Sequence, residues 1–157
     1  MLRRRFSLIA TVLLTSLSGG VVFAQDDTRT VRIQFKKGAS GAVVNGQIKG
    51  NEYVDYLIEA RQGQAEARQR QAANISLATR HPATYFNILA PGKTDEAFFN
   101  GSLSQNQFDG VLPGTGTYRV RVYMMRAEAR RHEDAGYRLE VVIGDMAAAA
   151  RVRALLW

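Results

Sequence analysis

Three arginines lie close together after an alternating, strand-like segment of the sequence. Arg126, Arg130 and Arg131 fall within six positions, and Tyr123 and Met125 immediately precede them. Guanidinium groups form paired hydrogen bonds with carboxylates and phosphates. Arginine and tyrosine are also the residue types that most often dominate the binding energy of protein interfaces. The cluster therefore predicts a loop that recognises an acidic partner.

Acidic residues beside the same arginines leave a second interpretation open. Glu128, Glu133 and Asp134 lie in or next to the cluster, within reach of the arginine side chains. Pairing with these acids would make the segment a solvated basic turn with no partner. The residue types alone do not decide between the two interpretations.

The arginines need a rigid element to position them, and residues 117–125 supply it. Hydrophobic and other side chains alternate there with a period of two, which is typical of a half-buried strand. One face carries Tyr118, Val120, Val122 and Met124, and the other carries Arg119, Arg121, Tyr123 and Met125. The strand is expected to be the scaffold and the loop the functional part.

Short alternating segments separated by Gly- and Pro-containing turns fill the remainder of the chain. They predict strands near residues 31–36, 42–49, 52–60, 85–90, 97–99, 108–112 and 137–143. Asn100-Gly101 predicts a hairpin, and residues 72–84 a polar connection. About eight or nine strands at this spacing indicate an all-β, antiparallel, jelly-roll-like β-sandwich formed by one domain, residues 25–145.

Two segments keep alternative interpretations. In residues 64–71 the spacing of Ala65 and Ala67 favours an edge strand, whereas the composition favours a helix. Residues 146–157 are rich in alanine and form either a short C-terminal helix or a frayed tail.

The first 24 residues have the three parts of a secretory signal. Arg3, Arg4 and Arg5 precede an apolar stretch, and Val22-Phe23-Ala24 supplies a cleavage site. Cleavage removes three of the 21 Lys and Arg residues, which lowers the formal charge from +7 to +4. This balance is too small to indicate nucleic-acid binding. We expect an exported protein without a membrane anchor, located in the periplasm in preference to the outside of the cell, and monomeric or weakly dimeric.

Searches for catalytic and metal-binding patterns point away from an enzyme. Cysteine is absent, and the two histidines, His81 and His132, stand beside a proline and an arginine respectively and far from each other in the sequence. No phosphate-binding loop, dinucleotide-binding motif or nucleophile elbow is present. The sequence therefore predicts no catalytic residues, no cofactor, no metal site and no small-molecule substrate.

Several segments together resemble the periplasmic inhibitors of goose-type (g-type) lysozyme. The resemblance extends from Val31 to Ile143, and its more distinctive parts are YFNILAPG at residues 85–92 and VYMMRAEARR at residues 122–131. GQIKG at residues 46–50, YVDY at 53–56, Gly63-Gln64 and Leu112-Pro113 are also similar to the pre-peptidase C-terminal β-sandwich domains. Arg68 and Arg70 depart from the apolar residues that the family pattern leads one to expect.

The resemblance implies a β-sandwich that inserts cationic loops into the acidic cleft of a g-type lysozyme. The residues expected to contact the lysozyme are Arg126, Arg130, Arg131, Tyr53, Asp55, Tyr56, Asn87, Asn100, Arg121 and Tyr123. Among the three loop arginines we expect unequal contributions. Two other functions remain open, which are a cell-wall carbohydrate-binding module that uses Tyr53, Tyr56 or Tyr123 for stacking, and a structural envelope protein.

Overall fold

The computed structural model describes residues 28–60 and 71–144 of the chain. The predicted signal segment, residues 1–24, and the tail, residues 146–157, lie outside the described residues. Of the segment predicted as an edge strand or a helix, residues 64–70 also lie outside. Within the described residues, no helix is long and apolar enough to cross a bilayer.

Nine strands form two stacked sheets in the described part of the chain. In chain order they are β1 Thr28–Arg32, β2 Gly41–Lys49, β3 Tyr53–Ala60, β4 Ala72–Thr79, β5 Thr84–Leu89, β6 Ala97–Asn100, β7 Gln107–Val111, β8 Gly116–Met124 and β9 Asp134–Gly144. Sheet A has the order β1-β3-β8-β5-β6, and sheet B has the order β2-β9-β4-β7. A single short helix, α1, spans Arg126–Arg130 among these residues. The predicted all-β sandwich is confirmed.

Side-chain alternation in the two longest central strands builds the core. In β8 the inward residues are buried and the outward ones are half-buried, as the sequence pattern predicts. In β9 the inward residues Tyr137, Leu139, Val141 and Ile143 are likewise buried. Each fully buried aliphatic or aromatic side chain stabilises the fold by about 1.5–3 kcal/mol. The core is therefore the apolar layer between the two sheets.

Two core tyrosines join the sheets. The hydroxyl groups of Tyr56 in β3 and Tyr137 in β9 are 2.9 Å apart and hydrogen-bonded. Burial, together with this bond, raises the pKa of Tyr137 far above its ordinary value of 10.0. The Tyr137 ring lies against Gly46 of β2, where any Cβ would collide with it. The pair thus fixes the position of one sheet on the other without an ionised group.

The segment predicted as a polar connection contains a strand in the middle of sheet B. β4 pairs with β9 over its whole length and with β7 over residues 72–76. Its inward residues Ala73, Ile75 and Leu77 are buried. The prediction was wrong because alanine, asparagine and serine weaken the apolar signal, although the period of two is present.

The chain also departs from prediction at β1 and after β6. β1 begins and ends earlier in the chain than predicted. It pairs with β3 in parallel, and this is the one parallel pair among the described strands. The hairpin predicted at Asn100-Gly101 is wrong, because β6 pairs with β5 in sheet A and β7 pairs with β4 in sheet B. A 3-10 turn, Gly101–Leu103, begins the crossing between the sheets. Gly101 is packed so closely on the Phe86 carbonyl that a side chain would not fit.

Asn106 forms hydrogen bonds that attach this crossing segment to both sheets. Its side-chain oxygen accepts a hydrogen bond from the Phe86 amide at 3.2 Å, and its side-chain nitrogen donates to the Thr84 carbonyl at 2.9 Å. Its own carbonyl accepts a bond from the Leu77 amide of β4 at 3.0 Å. The residue is buried and has a φ of 57°, a left-handed conformation that asparagine tolerates better than most residues.

Candidate functional site

One row of polar side chains crosses the outward face of sheet A. Strand register places five residues side by side, one from each strand, in the order Asn100, Asn87, Arg121, Asp55 and Thr30. Residues directly opposite one another in neighbouring strands point to the same face. Four of the five were expected as partner contacts, and the fold brings these four together.

A buried carboxylate lies at the centre of this row. The Asp55 side chain is only 2% exposed, although it faces away from the core. Arg121 donates from Nε to Oδ1 at 2.8 Å and from Nη2 to Oδ2 at 3.0 Å. Arg119 lies on the same side, with its Nη1 3.3 Å from Oδ2. The hydrogen bonds that Arg121 makes to Asp55, and the negative charge of Asp55, raise the pKa of Arg121 above its ordinary value.

Tyrosines form a second row beside the first. Tyr85 of β5 is directly opposite Tyr123 of β8, and Tyr53 of β3 shares this face with them. The Arg121 guanidinium lies 4.4 Å from the centre of the Tyr53 ring, which is a cation–π contact. The Tyr123 hydroxyl is 3.4 Å from Asn87 Oδ1. The aromatic row and the polar row therefore form one continuous surface.

The predicted arginine loop forms α1 and its following turn at the end of β8. Arg126 and Arg130 are exposed and make no ion pair with the described residues. Arg131 donates from Nε to Glu133 at 2.6 Å and from Nη2 to Glu128 at 3.2 Å. Arg131 is therefore paired with acids of its own segment, as the second interpretation expects. Asp134 is not one of these acids, because its carboxylate lies 3.7 Å from the Lys49 ammonium group.

Tyr56 is the predicted contact residue that the structure corrects. It is 3% exposed, and its hydroxyl bonds to Tyr137 between the sheets. Tyr56 has the opposite orientation to Tyr53 and Asp55 because successive residues of a strand alternate between faces. It can neither contact a partner nor stack on a sugar without disruption of the core.

Arg119 and Tyr85 belong to the same surface, and sequence reasoning did not select them. Arg119 has the same parity as Arg121 in β8, and Tyr85 the same parity as Asn87 in β5. Their positions in the alternating strands were therefore enough to place both side chains on the outward face. In the described residues, no group of three or more His, Asp or Glu side chains is arranged to hold a metal ion.

Comparison with known proteins shows which family has this architecture. A scan against protein-family models gives no match. The inhibitor of g-type lysozyme from Escherichia coli strain K12 is 28% identical over 144 residues, which cover 90% of this chain and 96% of the relative. The crystal structure of Aeromonas hydrophila PliG, a periplasmic lysozyme inhibitor of g-type lysozyme, is 32% identical, with a TM-score of 0.65. The superposition covers 74% of this chain and 97% of that one. The chain belongs to the family of periplasmic inhibitors of g-type lysozyme.

Members of the PliG family are inhibitor proteins and not enzymes, which agrees with the absence of a predicted catalytic site. The solved relative is described as periplasmic, so the predicted periplasmic location is confirmed. The pre-peptidase C-terminal domain of Bacillus anthracis collagenase has the same fold, with a TM-score of 0.50 at 14% identity, over 73% of this chain and 95% of that one. Both resemblances seen in the sequence are therefore confirmed.

Proposed function

We propose that this protein inhibits g-type lysozyme by binding over the active-site cleft of the enzyme. The observation that carries the proposal is the match to Aeromonas hydrophila PliG over nearly the whole length of that protein. A domain that matches an inhibitor end to end has the scaffold for the same task. The residues on the outward face of sheet A and on α1 supply a chemically suitable surface.

The charges of that surface suit an acidic cleft. Arg126 and Arg130 have guanidinium groups that no described residue neutralises, and α1 places them next to the end of β8. A lysozyme cleft contains the carboxylates that cleave the polysaccharide, and paired hydrogen bonds from arginine bind such groups well. These two arginines are the anchors that we propose for insertion into the cleft.

Arg121 has a different role in this proposal. Asp55 already occupies the hydrogen-bonding edge of its guanidinium, and Tyr53 lies against its face. Arg121 therefore acts as part of a preformed platform, with Tyr123, Asn87 and Asn100 around it, and Asp55 keeps the platform in place. A preformed surface loses little conformational entropy on binding, and an interface of about 1,600 Å² would be typical of a rigid inhibitor.

A carbohydrate-binding function is the second candidate, because Tyr53, Tyr85 and Tyr123 lie in a row on an outward sheet face. Tyrosine rings often stack on sugars when their faces are free. One face of the Tyr53 ring, however, is already covered by the Arg121 guanidinium, 4.4 Å from the ring centre. The row therefore fits a protein interface better than a sugar platform.

The decisive experiment is a cell-wall clearing assay with purified mature protein. We expect near-stoichiometric suppression of a g-type lysozyme, with chicken-type lysozyme left largely active. Binding to purified peptidoglycan without effect on either lysozyme would replace the proposal with the carbohydrate-binding function. No effect in either assay would favour a structural envelope protein. Light scattering of the same sample tests the expected monomer or weak dimer.

A further inference from the structure

His81 connects the turn between β4 and β5 to the segment that follows α1. Its ring is 14% exposed, and its Nε2 lies 2.7 Å from Glu133 Oε2. On the other side of the ring, Nδ1 accepts a hydrogen bond from the Ala83 amide at 3.3 Å. Because Nδ1 accepts this bond, Nε2 carries a hydrogen and donates a hydrogen bond to Glu133.

Glu133 continues the connection to α1. Its second oxygen, Oε1, accepts the 2.6 Å bond from Arg131 Nε, and Arg131 also donates to Glu128 within the helix. The Glu133 carbonyl accepts a bond from the Gly50 amide at 2.9 Å, so the turn between β2 and β3 is attached at the same point. A chain of side-chain bonds thus runs from His81 through Glu133 and Arg131 to α1.

Helix α1 depends on contacts of this kind. It has five residues, and an isolated helix of that length is unstable in water. Its N-cap residue, Met125, makes no side-chain capping bond, although its amide donates to the Ala83 carbonyl at 2.9 Å. The N-terminal end of α1 is therefore held by Ala83, and the bonds that pass through Glu133 add to the backbone bonds that close its C-terminal turn. Ala129 is the one buried residue of the helix.

We propose that His81 and Glu133 are positioning residues that hold α1 in the orientation in which Arg126 and Arg130 meet the lysozyme. The inference rests on the proposed inhibitory function and adds two residues outside the contact surface to it. Neither residue touches the partner. Their effect on inhibition passes through the two exposed arginines.

Amide substitutions separate the two bonds of the His81 ring. His81→Gln keeps an N–H donor near the position of Nε2, and so preserves the bond to Glu133. His81→Asn keeps an acceptor near the position of Nδ1 for the Ala83 amide, but its side chain is too short to reach Glu133. Glu133→Gln keeps one acceptor and loses the charge. Glu96→Gln is a matched control, because Glu96 pairs with Lys93 at 2.8 Å in the loop between β5 and β6.

The test measures inhibition constants and dissociation rates with a g-type lysozyme, beside thermal unfolding of each variant. We expect His81→Asn and Glu133→Gln to weaken inhibition about fivefold or more through faster dissociation. His81→Gln should stay within about twofold of the parent, and so should Glu96→Gln. Equal inhibition by the parent, His81→Asn and Glu133→Gln would overturn the inference.

A double-mutant cycle decides whether the effect passes through the arginines. In a background with Arg126→Ala and Arg130→Ala, His81→Asn should have almost no further effect on inhibition, because coupled residues are not additive. A full additional loss in that background would show general destabilisation and would overturn the positioning role. If the parent protein itself fails to inhibit, the proposed function fails, and this outcome is distinct because it precedes any substitution.

Discussion

Arg121 binds Asp55 through two parallel hydrogen bonds, 2.8 and 3.0 Å long, on the outward face of a sheet and not in the core. The carboxylate is almost inaccessible, whereas the Arg121 side chain is 22% exposed. An acid in this position has lost most of its water and needs its cationic partners. The pair is therefore a structural part of the surface on which a partner would bind.

Asp55→Ala should destabilise the protein and weaken inhibition. Removal of one partner of a buried pair costs about 3–5 kcal/mol, and the partial exposure of Arg121 reduces this to about 2–3 kcal/mol. Glu59→Ala is the matched control on the same strand, because the Glu59 side chain is 42% exposed and pairs with Arg32. An exposed pair of this kind contributes at most about 1 kcal/mol. Equal losses of unfolding free energy in urea titrations would contradict the role given to Asp55.

Alanine substitution of the loop arginines should have unequal effects on inhibition. At least one of Arg126→Ala and Arg130→Ala should weaken inhibition at least tenfold, which corresponds to about 1.4 kcal/mol, because these are the proposed anchors and no described residue pairs with either guanidinium group. Arg131→Ala should cause a smaller loss, since its guanidinium is held by Glu128 and Glu133. Lysine at the anchor should restore little, because it lacks the planar fork.

Arg138→Ala supplies the control for this series. Arg138 is exposed on the outward face of sheet B and pairs with Glu140 at 2.8 Å. Its removal should leave the inhibition constant within about twofold of the parent. Parental inhibition by all three loop variants and by their triple combination would move the contact surface towards Asn87 and Asn100.

Asn106→Gly should destabilise the sandwich, whereas Gln105→Gly should not. Both residues have positive φ, 57° and 51°, so glycine suits the backbone at either position. Only Asn106 uses its side chain to satisfy buried backbone groups of β5. Loss of these bonds should cost about 1–3 kcal/mol, measured by urea unfolding. A Gln105→Gly variant as unstable as Asn106→Gly would mean that backbone conformation, and not the side-chain bonds, is decisive.

Glu133 should make the stability of the protein depend on acid pH. The hydrogen bond from His81 lowers the pKa of Glu133 below its ordinary value of 4.5, and the hydrogen bond from Arg131 lowers it further. A carboxylate with a depressed pKa in the folded state contributes its stabilisation above the unfolded pKa and loses it as the pH falls through the folded pKa. The difference in unfolding free energy between the parent and Glu133→Gln should therefore be full at pH 7 and shrink below about pH 4.5.

Denaturant titrations between pH 3 and pH 7 measure this difference. The same pair of proteins is also compared in a His81→Gln background, in which no imidazole lies beside Glu133. A difference that grows as the pH falls in that background would contradict the assignment to Glu133.

Strand periodicity was enough to predict the sandwich and most of the outward surface. The alternation in β8 separates the buried Val120 and Val122 from Arg121 and Tyr123 without knowledge of the partner strands. The same parity places Asn87 and Asn100 outward once their strands are paired. These features are local, and local patterns are what a sequence shows directly.

Long-range pairings account for what could not be predicted. From the sequence alone, Asp55 has the pattern of a solvated acid. Its pairing with Arg121, which is 66 positions later in the chain, appears only in the fold. Asn100-Gly101 has the local signature of a hairpin, but the pairing of β6 with β5 and of β7 with β4 overrides it. Tyr56 belongs to the YVDY segment with Tyr53 and Asp55, but strand alternation turns its side chain into the core.

The outward row of sheet A takes one residue from each of five strands, which are separate in sequence from Thr30 to Arg121. A synthetic peptide copied from any one strand would carry a single member of the row and none of its neighbours. Antibodies raised against denatured protein would meet the same difficulty. A molecule designed to mimic this surface must therefore be a folded scaffold, and a linear copy of the arginine segment after β8 would likewise lack the contacts that hold α1.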